Sequence, residues 1–445
     1  MSLFQKISSA LRDDHLIQRV LRNSSYLFSG NALSAILNVV QGILVARLIG
    51  DVGLGLLTII MDFASNINRL LSFRMSEVLV KFMGEALTHD DKPRVAALAK
   101  GIGLTEACTS IAAYLVLLIF APLGAQIFSN DISLTPFFRF YGLFLLGNLI
   151  YETSTGILQV TDRFKQVARL NFFQSLVLTV LMIAALIFDW GLPGILAAYL
   201  IGKTITGILV ARLALRELSN RLGRSWMQTP LDTIADWRSI FRFAFNTNLN
   251  GTVNLFARDN IRLYLALFLS NAQVGYFAQA VKLINLMMLP IEPFIWPTYA
   301  EITKTIAQKQ WQATRKLIKQ VSGIAGGWTL LAGGGLAALG WWLIPLLYGE
   351  QFAPAYPCLL ILLIGYGIAN IANWNRPLLL ALGYPNYPLI TGAIIGAIEI
   401  ICIFIFVPTG GYLLGAAIFS AYLAISVLIN LTRGLSILKH NEATA

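Results

Sequence analysis

Three basic side chains, Arg69, Arg258 and Lys282, lie near the middle of long apolar segments, where a charged residue requires an explanation. An ionisable group at the centre of a bilayer is energetically costly and usually faces a cavity or a transport pathway. Arginine and lysine form charge-assisted hydrogen bonds with phosphate oxygens. We therefore predict that these three residues, together with Arg262 one helical turn beyond Arg258, bind a phosphorylated group.

Amide side chains accompany these cations at helical spacing, because residues four positions apart share one face of a helix. In the segment 243–268, Asn254, Arg258 and Arg262 continue one such stripe. Sugar hydroxyls need both hydrogen-bond donors and acceptors, and amides supply both. We predict that a glycan contacts Asn31, Asn38, Gln41, Asn66, Asn246, Asn250, Asn254 and Asn285. The alternative is that these side chains only hydrogen-bond between helices and hold the bundle together.

Carboxylates inside the apolar segments are expected to balance the buried cations. Asp259 stands beside Arg258 and close to Arg262, so we expect it to neutralise that pair. Asp62 and Glu292 are predicted to balance charge or to couple transport to a proton or sodium gradient, which is a hypothesis. The cysteines have no CxxC spacing, and no GxxxxGK[ST] motif is present, so we predict no catalytic residue, metal site or cofactor.

The elements that must position these residues are twelve apolar stretches, each long enough to cross about 30 Å of hydrocarbon as a helix. Their approximate bounds are 26–49, 54–79, 101–121, 137–160, 168–188, 192–211, 243–268, 274–298, 321–345, 357–382, 387–407 and 412–432. Lys and Arg lie almost entirely on one of the two alternating sets of connections. The positive-inside rule then places both termini in the cytoplasm of a bacterial inner-membrane protein.

The net charge of +11 is therefore a topology signal, and nucleic acid is not an expected partner because the charges are divided among short loops. The fold class that follows is all-α integral membrane, with two six-helix bundles around a central cavity. We divide the chain into a cytoplasmic arm (1–25), an N-terminal bundle (26–211), a cytoplasmic linker (212–242), a C-terminal bundle (243–432) and a cytoplasmic tail (433–445). No loop is long enough for a catalytic domain, so an enzyme is not expected.

Four segments resemble the polysaccharide flippases, the O-antigen (Wzx-type) transporters of the multidrug, oligosaccharidyl-lipid and polysaccharide exporter superfamily. These segments are NVVQGILVARLIGDVGLGLLTII, GILQVTDRFKQVARLNFFQSLV, VGYFAQAVKLINLMMLPIEPFIWPTYAEI and GYLLGAAIFSAYLAISVLINL. Together they extend over nearly the whole chain.

The resemblance implies a transporter that moves polyprenyl-diphosphate-linked oligosaccharide units from the cytoplasmic to the periplasmic leaflet by alternating access. It also implies a place in lipopolysaccharide O-antigen synthesis, with membrane lipids and other polysaccharide assembly proteins as further partners.

Two alternatives are open at this stage. The first is a multidrug or metabolite exporter of the same superfamily, although a pump for organic cations should have an acidic cavity. The second is a membrane-embedded polysaccharide polymerase or ligase, which typically has a long outer loop that this chain lacks.

Overall fold

The computed structural model describes residues 15–72, 75–161, 163–234 and 236–443, and no strand occurs among them. The predicted all-α class is therefore confirmed. Side chains are described from residue 37 onward, except at positions 73–74, 88, 162, 164–165, 235, 246–247, 249–251, 253–254, 257, 293, 296 and 444–445. Four predicted glycan contacts consequently lie outside the described side chains: Asn31, Asn246, Asn250 and Asn254.

The helices of the first part of the chain are α1 His15–Leu71, α2 Met75–Thr88, α3 Lys92–Ser129, α4 Thr135–Gly142, α5 Phe144–Gly147, α6 Tyr151–Val160, α7 Phe164–Ile187, α8 Gly191–Leu222, α9 Trp237–Asn254 and α10 Ile261–Ala266. Those that follow are α11 Asn271–Met288, α12 Ile295–Ala307, α13 Trp311–Trp328, α14 Gly334–Tyr348, α15 Ala355–Ile371, α16 Asn375–Ala381 and α17 Asn386–Ala443.

Two of these helices are broken by a glycine. Gly50 in α1 (φ 68°, ψ −171°) and Gly411 in α17 (φ 67°, ψ −166°) adopt left-handed backbone conformations that favour glycine. Both breaks coincide with predicted outer connections. Helix α17 contains the two predicted spans 387–407 and 412–432, whereas the predicted span 54–79 continues past the end of α1 into α2. Among the described residues, seven helical stretches are long and apolar enough to cross a membrane. The exact number of twelve spans stays a prediction.

The chain divides into two compact units, which are described separately. One comprises residues 36–271, called here the 36–271 unit, and the other comprises residues 272–445 with residues 1–35, called here the 272–445 unit.

In the 36–271 unit, the hydrophilic segment after α8 folds back onto the start of α3. Trp226 and Ile234 are buried there, and the Lys100 ammonium donates a hydrogen bond of 3.2 Å to the carbonyl of Thr229. The indole ring of Trp237 lies directly over Gly101. The segment predicted as a linker is thus packed as part of this unit's apolar core.

In the 272–445 unit, α15 and α17 approach each other closely because a glycine lies at their crossing. A Cβ at Gly365 would collide with the backbone of Ser420. The Ser420 hydroxyl accepts a 2.8 Å hydrogen bond from the Gly365 amide and donates one of 2.8 Å to the Ile361 carbonyl. Small residues and hydroxyl hydrogen bonds are the usual means of holding membrane helices together.

We predict that Gly101→Ala lowers the melting temperature of the purified protein. A Cβ at this position would lie 2.5 Å from Cη2 of Trp237, and overpacking of this kind typically costs about 1–3 kcal/mol. Gly84→Ala is the matched control, since nothing lies within 4 Å of a Cβ at that helical glycine. Thermal unfolding in detergent measures both variants, and equal melting temperatures would contradict this account of the packing.

Candidate functional site

The predicted span 137–160 is not one continuous helix. It is covered by three short helices, α4, α5 and α6, with breaks between them. Irregular backbone at membrane depth is tolerated only where it is buried in protein or lines a cavity. Glu106 of α3 satisfies the amides at the start of α6. Its Oε1 accepts a hydrogen bond of 2.8 Å from the Glu152 N–H, and its Oε2 accepts one of 2.7 Å from the Thr153 N–H. Through these two hydrogen bonds the buried Glu106 carboxylate caps the N-terminus of α6.

A second interruption separates α9 from α10. Residues Leu255–Asp259 form a π turn, followed by non-helical Asn260. A π turn contains an extra residue, so the side chains after it rotate by about 100° relative to those before it. The four-residue spacing of the predicted stripe assumes an unbroken α-helix, and this segment is not one around Arg258. Single π turns occur frequently at functional sites.

Two ion pairs join α1 to the segment around this π turn. Arg262 forms an ion pair with Asp62: Nη2 donates a hydrogen bond of 3.0 Å to Oδ1, and Nε lies 2.8 Å from Oδ2. Arg69 pairs through Nη1 with Oδ2 of Asp259 at 2.5 Å. The Asp62 side chain is 18% exposed and that of Asp259 is 42% exposed. The first pair is therefore the better shielded from water.

These pairs correct the expected charge balance, in which Asp259 would neutralise Arg258 and Arg262. Adjacent residues on a helix, such as Arg258 and Asp259, do not face each other. Asp259 instead neutralises Arg69 on another helix, and Asp62 neutralises Arg262.

Arg258 and Lys203 lie in predicted membrane segments of the 36–271 unit, and neither forms an ion pair with a described carboxylate. Arg258 is exposed within the π turn. Lys203 of α8 is half-buried, and its ammonium lies 4.4 Å from the ring centroid of Phe144 and 5.5 Å from that of Tyr141. Aromatic faces stabilise a cation without neutralising it. Both groups can therefore accept a negatively charged ligand without first losing an ion pair.

A cavity of ≈ 290 Å³ lies beside the interruption between α5 and α6. Its wall combines amides, hydroxyls, charged groups and aromatic rings, and it is lined by Asn68, Ser72, Glu106, Ser110, Phe144, Leu145, Asn148, Tyr151, Glu152, Gln174, Lys203 and Thr206. None of the predicted glycan contacts belongs to this set. The sequence analysis missed these residues because they come from separate helices. The glycine and asparagine at 147–148 inside an apolar span were the available signal of a helix break.

The predicted glycan contacts of this unit with described side chains occupy three different environments. Gln41 is buried, and its amide nitrogen donates hydrogen bonds to the Ser175 carbonyl at 2.8 Å and to the Thr179 hydroxyl at 2.9 Å. That amide therefore holds α1 against α7, as the packing alternative predicts. Asn38 is exposed, and Asn66 is half-buried with an Nδ2 group that makes no hydrogen bond to a described residue.

The 272–445 unit contains the remaining predicted site residues. Lys282 lies half-buried in α11 and has no ion pair with a described side chain. Asn285 on the same helix is exposed, and so is Glu292, in a 3₁₀ turn between α11 and α12. Among the predicted site residues, Asp62, Asp259 and their arginine partners therefore lie in the 36–271 unit, whereas Lys282, Asn285 and Glu292 do not.

Comparison with known proteins gives matches over most of the chain. The sequence pattern of a family described as "Polysaccharide biosynthesis protein" matches residues 20–301. Inner membrane protein YghQ of Escherichia coli (strain K12) is 22% identical over 350 residues, which make up 77% of this chain and 96% of that protein.

Solved transporter structures share the fold. An inward-facing multidrug resistance MATE family transporter of the MOP superfamily matches with a TM-score of 0.75 and 14% identity, over 93% of this chain and 96% of that chain. The lipid II flippase MurJ in an inward closed conformation matches with a TM-score of 0.70 and 16% identity, over 94% of this chain and 90% of that chain.

We predict that Asp62→Asn destabilises the protein more than Asp259→Asn. Removing a carboxylate leaves its arginine uncompensated, and this costs more where water is excluded; the loss at an exposed pair is only about 0–1 kcal/mol. Thermal unfolding in detergent compares the two variants. The double variant Asp62→Arg/Arg262→Asp exchanges the two charges and should recover part of the stability that Asp62→Asn loses. A double variant no more stable than Asp62→Asn would argue against the pair.

Proposed function

Because this chain belongs to the polysaccharide biosynthesis protein family, we propose that it is a flippase for polyprenyl-diphosphate-linked oligosaccharides. In the proposal it is a multi-pass membrane transporter and no enzyme, which is supported by the fold that it shares with solved MOP-superfamily transporters. In the proposal it lies in the bacterial inner membrane with both termini in the cytoplasm and carries O-antigen units to the periplasmic leaflet. The observation that carries the proposal is that Arg258 and Lys203 lie in predicted membrane segments and form no ion pair with a described carboxylate, in a chain of this family.

The physical task is to move a charged and hydroxylated headgroup across hydrocarbon. Stripping such a group of water without replacement hydrogen bonds costs many kcal/mol, so a transporter must supply substitutes. In the proposed mechanism, Arg258 and Lys203 of the 36–271 unit bind the diphosphate, and Arg69 and Arg262 contribute while paired with their carboxylates. The lipid tail stays in the bilayer, and alternating access exposes the headgroup to the opposite side.

The ion pairs bear on the coupling hypothesis. Asp62 and Asp259 each hold an arginine, so a proton or sodium ion binding at either carboxylate would release that arginine toward the substrate. This provides a physical link between an ion gradient and diphosphate binding. Coupling through Asp62, Asp259 or Glu292 belongs to the proposal, as does association with other polysaccharide assembly proteins.

A multidrug exporter is the second candidate, favoured by the similarity to the MATE family fold. Cations without carboxylate partners would repel the organic cations that such a pump carries, so this unit's charge supports an anionic substrate.

Depletion of the protein in its native cell tests the proposed activity. Lipid-linked oligosaccharide should accumulate on the cytoplasmic leaflet, where externally added glycosidase cannot reach it in intact spheroplasts. Unpolymerised units on the outer leaflet would instead indicate a polymerase. Unchanged glycan together with drug sensitivity would indicate an exporter.

We predict that Arg258→Gln reduces export of the glycan by at least about tenfold, since a hydrogen bond to a charged group contributes about 1.5–3 kcal/mol. Arg258→Lys should keep part of the activity because it retains the charge. Arg238→Gln, which removes another exposed arginine, is the matched control and should export normally. Immunoblotting of membrane fractions checks insertion, and normal export by inserted Arg258→Gln would refute this assignment.

A further inference from the structure

We propose that the cavity between α5 and α6 in the 36–271 unit binds one sugar ring, the sugar directly attached to the diphosphate. This inference rests on the proposed flippase function and assigns a separate subsite to its substrate. Ligand cavities usually begin at about 300 Å³, so a volume of ≈ 290 Å³ matches the smallest ligands and suits a single pyranose ring.

The wall of the cavity has the chemistry that a pyranose requires. Phe144 and Tyr151 supply aromatic rings for the apolar C–H face of a sugar. Asn68, Asn148 and Gln174 supply amides, which donate and accept hydrogen bonds at the same time. The Asn148 nitrogen donates a 2.8 Å hydrogen bond to the Phe144 carbonyl, and this bond orients the side chain while its oxygen still serves as an acceptor.

A metal cation fits the same cavity poorly, although two carboxylates line it. Both oxygens of Glu106 already accept backbone amides, so the carboxylate that caps α6 has little capacity for a further ligand. The Lys203 ammonium lies in the same wall and repels a second cation. A neutral polyhydroxylated ring meets neither obstacle, and its hydroxyls can accept hydrogen bonds from the ammonium.

The position of the cavity relates it to the proposed diphosphate site. Lys203 lines the cavity and also interacts electrostatically with both Arg69 and Asp62. A substrate whose first sugar occupied the cavity would therefore have its diphosphate beside the cations of the same unit. Lys203 is the group that both parts of the headgroup would share.

The test measures binding of two kinds of lipid to the purified full-length protein in nanodiscs. One is bare polyprenyl diphosphate, and the other is polyprenyl diphosphate carrying one sugar, taken from a panel of glucose, galactose, N-acetylglucosamine and N-acetylgalactosamine. We expect at least one glycosylated lipid to bind about tenfold more tightly than the bare carrier. Gln174→Leu, which removes an amide at nearly constant volume, should abolish that difference and leave binding of the bare carrier intact.

A second variant, Ser110→Phe, fills the cavity and should have the same effect as Gln174→Leu. Ala112→Phe adds the same bulk at an exposed position of α3 and should retain the preference for the sugar. The inference fails if no sugar improves binding, or if Gln174→Leu keeps the preference. A protein that binds neither lipid would refute the flippase function itself, whereas binding of the bare carrier with no sugar effect would refute only the subsite.

Discussion

The hydrogen bonds between the Glu106 carboxylate and the first amides of α6 are the interaction on which the site in the 36–271 unit depends. A helix that starts inside a membrane has amides that water cannot reach, and leaving them unsatisfied would cost several kcal/mol each. Glu106 satisfies two of them from a neighbouring helix. This compensation permits the break between α5 and α6, and the break places amides and aromatic rings around a cavity.

The charged side chains of this unit are likewise stabilised by interactions that compensate for the loss of water. Arg69 and Arg262 each bind a carboxylate, and such pairs reduce the cost of placing charge in an apolar protein. Arg258 and Lys203 are supported differently, by exposure in a π turn and by aromatic faces. A transporter of an anion benefits from this division, because paired arginines stabilise the empty protein and the other two cations remain available for the substrate. In the proposed cycle, ion binding to a carboxylate would change which group each arginine contacts.

The sequence was sufficient for features that depend on composition and local order. The all-α membrane class follows from the length of the apolar segments, and the breaks at Gly50 and Gly411 fall in predicted connections. The sequence also singled out Arg69, Asp62 and Asp259 as candidates, because ionisable residues are rare in such segments. Their pairing was not, since an arginine in α1 and an aspartate in the π turn are far apart in the chain. Helical spacing further assumed an unbroken helix, and the extra residue of the π turn invalidates that assumption beyond Asn254.

The amino-acid sequence by itself thus determined the class of the protein and the presence of charges in its apolar segments. Hydrophobicity and charge are properties of each residue, and they can be read before the chain folds. Only the tertiary structure decided that Gln41 packs against α7 and that Glu106 caps α6. It also brought Lys203 to the wall of a cavity shared by several helices. These outcomes depend on which helices adjoin and where their hydrogen bonding is interrupted, and both are set by packing across the whole unit.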